Sequence, residues 1–300
     1  MEADGMARDT AKRGGWRDWI PARFRRDLVT VPVVLLDGAI GVRQPFRGSL
    51  SIESVADTLE TAFEMKRAPA VAIVINSPGG SPVQSRLIFE RIRALAEEHD
   101  KKVHVVVEDV AASGGYMIAC AGDDIIADPS SIVGSIGVVS AGFGFVELIA
   151  KLGIERRVHT IGEQKAILDP FRPEKPEEVA HLAALQRDVH EIFVDLVRER
   201  RGQRLKHDED LFDGLFWTGR RGLELGLVDE LGDLRSAMRA RYGDDVRLKL
   251  VDEKSGFFLF RGKKPGIHGL GAAGGAIGLV DPEAAIAAVE RRLMWSKYGL

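Results

Sequence analysis

The sequence is short of several things, and each absence narrows the reading. Among 300 residues there is one cysteine, Cys120, so no disulfide can form within the chain, which fits a reducing compartment. Cys120 lies in an apolar run, where a small buried core residue is the plain reading. No stretch reaches the roughly 18 uninterrupted apolar residues that a membrane span needs. The opening, MEADGMARDTAKRGGWRDWIPARFRRD, has no apolar signal-peptide core. Neither sign of charge dominates: 42 basic and 45 acidic residues give a net charge of -3, so no global field points to nucleic acid. No metal-ligand spacing is visible, and SPGGSP lacks the spacing of a phosphate loop. No metal, cofactor or nucleic-acid partner is expected, and the expected location is cytoplasmic.

What is present suffices for a full core, since 45% of the residues are hydrophobic. Residues 1–27 read as a basic and aromatic tail, with Trp16, Trp19, Ile20 and Phe24 among Arg13, Arg17, Arg23, Arg25 and Arg26. That mixture suits peripheral contact with a membrane surface; a mobile or oligomer-docking tail is the other reading. Over 28–250, apolar strands alternate with amphipathic helices. LVTVPVVLLDGAI, AVAIVINSPGG, KVHVVVEDV, a short strand in DIIADPSSIVG, and IERRVHTIG read as strands. SIESVADTLETAFEMK, SPVQSRLIFERIRALAEEHD and the long KPEEVAHLAALQRDVHEIFVDLVRERRG read as helices, Ser51 capping the first. The alternation predicts an α/β fold with a mostly parallel, buried sheet. Residues 251–300 form a Gly/Ala-rich segment and a last amphipathic helix.

Two glycine turns, INSPGG at 75–80 and ASGG at 112–115, each follow an apolar strand and precede a helix. Helix N-termini carry unpaired N–H groups and partial positive charge, so two such turns side by side could aim two amides at one carbonyl oxygen. Each alone reads more simply as an ordinary strand-to-helix turn; together, with Ser113 in the second, they favour the oxyanion reading. A nucleophilic serine needs a base. Among the seven histidines only His159, read as ending a strand, is a candidate. Lys165, in TIGEQKAILDPFRP among Ile161, Ile167, Leu168, Pro170 and Phe171, is another. A lysine has an ordinary pKa of about 10.4, and burial would have to lower it for the amine to accept a proton near neutrality.

NSPGG, VAASGGYMIACAGDDIIADPSSIVGSIGV, GEQKAILDPF and WTGRRGLELGLVDELG, in this order, resemble the protease IV family of bacterial signal-peptide peptidases. The resemblance spans roughly residues 30–245 and implies the repeated strand–turn–helix fold of Clp protease and crotonase. It implies a Ser–Lys dyad: Ser113 as nucleophile and Lys165, 52 residues further on, as general base. Gly114 and the Gly79–Gly80 turn would supply the oxyanion hole, and Ser135 of GSIGV would orient the lysine. Family members assemble into rings or domes with inward-facing sites, in which neighbouring subunits can share one dyad. Two departures stand out. Ala166 follows the lysine where many members have aspartate or serine, and no membrane anchor is visible at the start. The latter shifts the expected substrate from remnant signal peptides toward soluble peptides or unfolded segments.

The expectation is therefore a serine endopeptidase acting within a homo-oligomeric ring. Two rivals are a crotonase-type acyl-CoA enzyme using the same oxyanion hole, and a non-catalytic oligomeric scaffold.

Overall fold

Strand β1 (Thr30–Asp37) is built from TVPVVLLD, and β2 (Ala70–Ser77) from AVAIVINS. Such β-branched, apolar runs have no polar face to offer water and so go to the middle of a sheet. With β3 (Lys102–Ala112) they form the parallel centre of the fold. The computed structural model describes residues 28–42, 49–162 and 164–251. The predicted tail at 1–27 and the segment beyond 251 lie outside the described residues.

Strand β8 (Arg247–Leu250) extends the sheet beside β1. On the other side β3 has two partners: β4 (Asp124–Ala127) along its first half and β5 (Ile132–Gly134) along its end. Two short strands complete the sheet. Strand β6 (Phe216–Thr218) runs antiparallel to β5, and β7 (Glu230–Leu231) runs parallel to β4. The sheet is thus parallel except at β5–β6, as the alternation predicts. DIIADPSSIVG holds two strands rather than one.

Helices α1 (Ile52–Phe63), α2 (Pro82–Glu98) and α3 (Gly114–Ala119) follow β1, β2 and β3. Ser51 caps α1 in a reciprocal box with Ser54, as expected, and Ser81 caps α2 with Pro82 in its first turn. These helices bury Leu59, Phe63, Ile88, Ile92, Tyr116 and Ile118 against one sheet face. The other face is covered by α7 (Leu234–Tyr242), whose Ala237 and Met238 pack on Val31, Val33, Val74 and Val106. Among the described residues no helix is long and apolar enough to cross a membrane.

Helix α5 (Pro176–Arg201) is tied to the body at its C-terminal end, where Phe193, Val194, Leu196 and Val197 are buried. There the fully buried Arg201 makes a two-pronged pair with Asp229, at 2.8 and 2.9 Å, and also donates to Gly226 O. Asp229 in turn accepts from Ile125 N–H. Helix α6 (Gly219–Leu225) lies just before this loop.

Residues 138–175 form an arm that includes α4 (Val146–Lys151), a helix with no buried residue. The arm closes on itself and on the start of α5. Phe145 N–H donates to Pro170 O, Phe145 stacks on Phe171, and Arg156 pairs with Asp169. Arg172 and Leu168 N–H both bind Glu178. IERRVHTIG, expected as a strand, is irregular and exposed. Its alternating sequence suits a strand, but it pairs with no strand of the described sheet.

Candidate active site

The site forms at the C-terminal ends of β2 and β3, where the two glycine turns meet. Ser113 has φ 52° and ψ -122°, conformations that a residue with a side chain rarely adopts. This puts a sharp turn between β3 and α3 and leaves Ser113 at the head of the helix. Its backbone is held from both sides: Ser113 N–H donates to Gly134 O at 2.8 Å, and Ser113 O accepts from Met117 N–H at 3.0 Å. A nucleophile on a strained strand-to-helix turn is exposed at the top of the sheet while its backbone stays fixed.

The Gly79–Gly80 turn abuts this elbow. A Cβ on Gly79 would lie 2.8 Å from each of Ala112 O, Ser113 Cβ and Gly114 N. Gly79 has φ 98° and Gly80 φ 145°, so both the space and the backbone require glycine. Gly80 is pinned on its other side by Ile40, which bonds to Gly79 O and accepts from Ser81 N–H. The Gly80 nitrogen lies 3.4 Å from where a Cβ on Gly114 would be. Among the described residues neither the Gly80 nor the Gly114 amide donates to an acceptor. Two free amides beside one serine hydroxyl can bind a developing oxyanion.

Two buried serines that the sequence reading passed over shape this turn. Ser77 Oγ donates to Gly38 O at 2.7 Å and accepts from Gly79 N–H at 3.2 Å. Ser85 Oγ, on α2, donates to Ser81 O and fills the space that a Cβ on Gly114 would need. Ser77 was visible inside NSPGG; Ser85 had no signal beyond being a lone serine in an amphipathic helix.

Ser135 follows the residue that anchors Ser113, has φ 54°, and donates its N–H to Leu215 O at 2.7 Å. Lys165 lies elsewhere. It sits on the arm, exposed, and among the described residues no hydrogen bond joins it to Ser113 or Ser135. Its expected burial does not occur within one chain, because the arm folds on itself instead of on the body. His159 is likewise exposed on the arm and ends no strand. Among the described residues no group of His, Cys, Asp and Glu could hold a metal ion.

Residues 96–249 match the model of peptidase family S49. The chain belongs to that family. Ser113, Gly114, Ser135 and Lys165 of this S49 chain lie inside the matched range, and Gly79 and Gly80 precede it. Serine protease SPPA of Arabidopsis thaliana chloroplasts is 34% identical over 187 residues, covering 62% of this chain and 27% of the relative. Protease 4 of Salmonella typhi is 30% identical over 223 residues, covering 73% and 35%. A Brucella abortus protein named Na(+)/H(+) antiporter NhaA is 55% identical over 290 residues, covering 94% of this chain but 38% of that protein. The S49 chain thus spans well under half of each of these relatives. Most of the antiporter-named protein lies outside the match, so its name does not carry over.

Proposed function

We propose that this chain is a serine endopeptidase in which Ser113 is the nucleophile and Lys165 the general base. The observation that supports it most is the strained Ser113 elbow with the unbonded Gly80 and Gly114 amides beside it. Family membership weighs toward peptide-bond cleavage over acyl-CoA chemistry on a similar fold.

In this reading neutral Lys165 takes the proton from Ser113 Oγ as the oxygen attacks a peptide carbonyl. The Gly80 and Gly114 N–H groups hold the oxyanion. Protonated Lys165 then delivers its proton to the leaving amine. Water, deprotonated by the same lysine, releases the acyl group from Ser113. Lys165 is exposed in the single chain, and a general base of this kind works where water is excluded, so the arm must dock before Lys165 can act. A second copy of the chain supplies that place. The arm exposes Val139, Phe143, Leu152 and Ile161, which a neighbouring subunit would cover while carrying Lys165 to its own Ser113. The working form is then a closed homo-oligomer that admits extended peptides or unfolded segments.

The test is hydrolysis of an unfolded protein and a mixed peptide library by the wild-type chain, Ser113→Ala and Lys165→Ala, with all three assembling alike. Cleavage by wild type alone is expected. Equal cleavage by all three would sink the dyad.

A further inference from the structure

A cleft of about 530 Å³ opens between the end of α1 and the edge strand β8, at the opposite end of the sheet from Ser113. Four cations line it: Lys66 and Arg67 from the turn after α1, Arg247 and Lys249 from β8. Met65 and Leu248 give it an apolar part, and among the described residues no carboxylate lines it. That composition runs against a chain whose net charge is -3.

The fold explains why these cations stand together. Arg247 and Lys249 are two residues apart on one strand, paired in register with Thr30 and Pro32, so they share a face. The carbonyl end of α1 would ordinarily draw a nearby cation. Here Lys101 fills that place, its ammonium donating to Phe63 O and Met65 O. Lys66 and Arg67 are left over. None of the four forms an ion pair among the described residues, whereas Arg93, Arg156, Arg172, Arg201 and Arg241 all do.

Such a site takes a phosphate-bearing anion. The neighbouring sequence indicates which source. Chain leading into β1 carries Arg13, Arg17, Arg23, Arg25 and Arg26 with Trp16, Trp19 and Phe24. Basic side chains mixed with indoles suit a bilayer interface, where charge meets headgroups and rings sit at the boundary. A compact four-cation cleft whose described lining holds no stacking aromatic is too small to follow a nucleic-acid backbone. We propose that the Lys66–Arg67–Arg247–Lys249 cleft docks the chain on phosphate headgroups of an anionic lipid bilayer. Parallel strands of eight residues separate this end from the Ser113 end by roughly 25 Å, so a docked chain keeps its glycine turns clear of the surface.

The test is sedimentation of the full chain with vesicles of phosphatidylcholine alone or phosphatidylcholine mixed with phosphatidylglycerol. The variant replaces all four cations (Lys66→Gln, Arg67→Gln, Arg247→Gln and Lys249→Gln); circular dichroism and peptide hydrolysis show that it remains folded and active. The wild type is expected to sediment with the phosphatidylglycerol vesicles only. The variant should bind them on the order of a thousandfold more weakly, each basic residue near an anionic surface contributing about fivefold. Added salt should release the wild type. Equal binding to both vesicle types would overturn the proposal, as would a variant that binds like wild type, which would place binding in the flanking chain. Saturable calorimetric binding of inorganic phosphate without vesicle binding would make it a soluble-phosphate site. Preference for duplex DNA over the vesicles in competition would also overturn it.

Discussion

Gly79 and Ser113 touch in a way that forbids a side chain on the former: a Cβ there would lie 2.8 Å from Ser113 Cβ, and Gly79 has φ 98°. The crowding atoms include backbone, Ala112 O and Gly114 N, which cannot swing aside as a long side chain could. Gly79→Ala should therefore move one glycine turn away from the other. The expected cost is about 2–4 kcal/mol of stability, from backbone strain plus overpacking. Peptide hydrolysis should fall at least tenfold even where the variant is fully folded, because an oxyanion donor acts only within a few tenths of an ångström. Denaturant midpoints and rates on one peptide check both. Unchanged hydrolysis by a destabilised variant would remove this turn from the site.

Lys165 and Ser113 provide the second prediction. If neighbouring subunits share sites, Ser113→Ala and Lys165→Ala chains are each inactive alone but complement each other. A chain with intact Ser113 then sits beside one with intact Lys165 at about a quarter of the sites in a randomly mixed ring. Unfolding the two variants together and refolding them should restore hydrolysis to about that fraction of wild type. No recovery in mixed rings of normal size would place the dyad within one chain.

How much of this could be read beforehand differs from element to element. Strands β1, β2 and β3 were legible because buried parallel strands are nearly continuous apolar runs. The turns at Gly79–Gly80 and Ser113–Gly114 were legible as strand-to-helix turns, since glycine after an apolar run marks where a strand stops, whereas the roles of their residues came from the family resemblance alone. Strand β8 was missed, since RLKL on a sheet edge alternates charge with leucine and has little apolar signal. IERRVHTIG misled for the opposite reason: its pattern suits a strand, but pairing depends on a partner edge, which local sequence does not encode. The surroundings of Lys165 misled likewise. Ile161, Leu168 and Phe171 suggested burial, yet Ile161 is fully exposed in the single chain. Apolar composition says that a segment seeks cover without saying from which molecule.

Cys120 gives a probe of the body that is independent of catalysis. Burial pushes its thiol up to about 12, with Arg201 and Arg200 opposing. The thiolate that reacts with alkylating reagents is therefore scarce as well as inaccessible. In the folded chain Cys120 should resist iodoacetamide at pH 8, and labelling should follow unfolding. Arg201→Met should speed it, because it removes the two-pronged pair and leaves Asp229 with Arg204 and Ile125 N–H, a loss of about 1.5–3 kcal/mol. Mass spectrometry of timed samples in dilute denaturant reads the rate. Fast labelling of the native wild type would show that the end of α3 opens readily.

A pH dependence of stability should come from the network holding α7 to the sheet. His104, itself buried, contacts Asp124 through Nδ1 at 2.8 Å and Tyr242 OH through Nε2 at 2.7 Å. Arg241 binds both Asp124 and Glu230. Burial raises the Tyr242 hydroxyl, with the Asp124 charge adding to it, so the phenol keeps its proton. Burial pushes the Asp124 carboxyl up. The hydrogen bonds and charges of His104 and Arg241 outweigh that and hold it below the usual carboxylate range. A carboxyl lowered on folding contributes stability above its unfolded pKa, about 3.9, and loses it as pH falls through the folded value. Asp124→Asn should accordingly cost about 1.5–3 kcal/mol at pH 7, the range for hydrogen bonds to a charged group. The gap between variant and wild type should shrink below about pH 4. Denaturant midpoints for both chains across that range measure it. A gap that stays constant down to pH 3 would mean the ionised carboxylate is not what fastens α7.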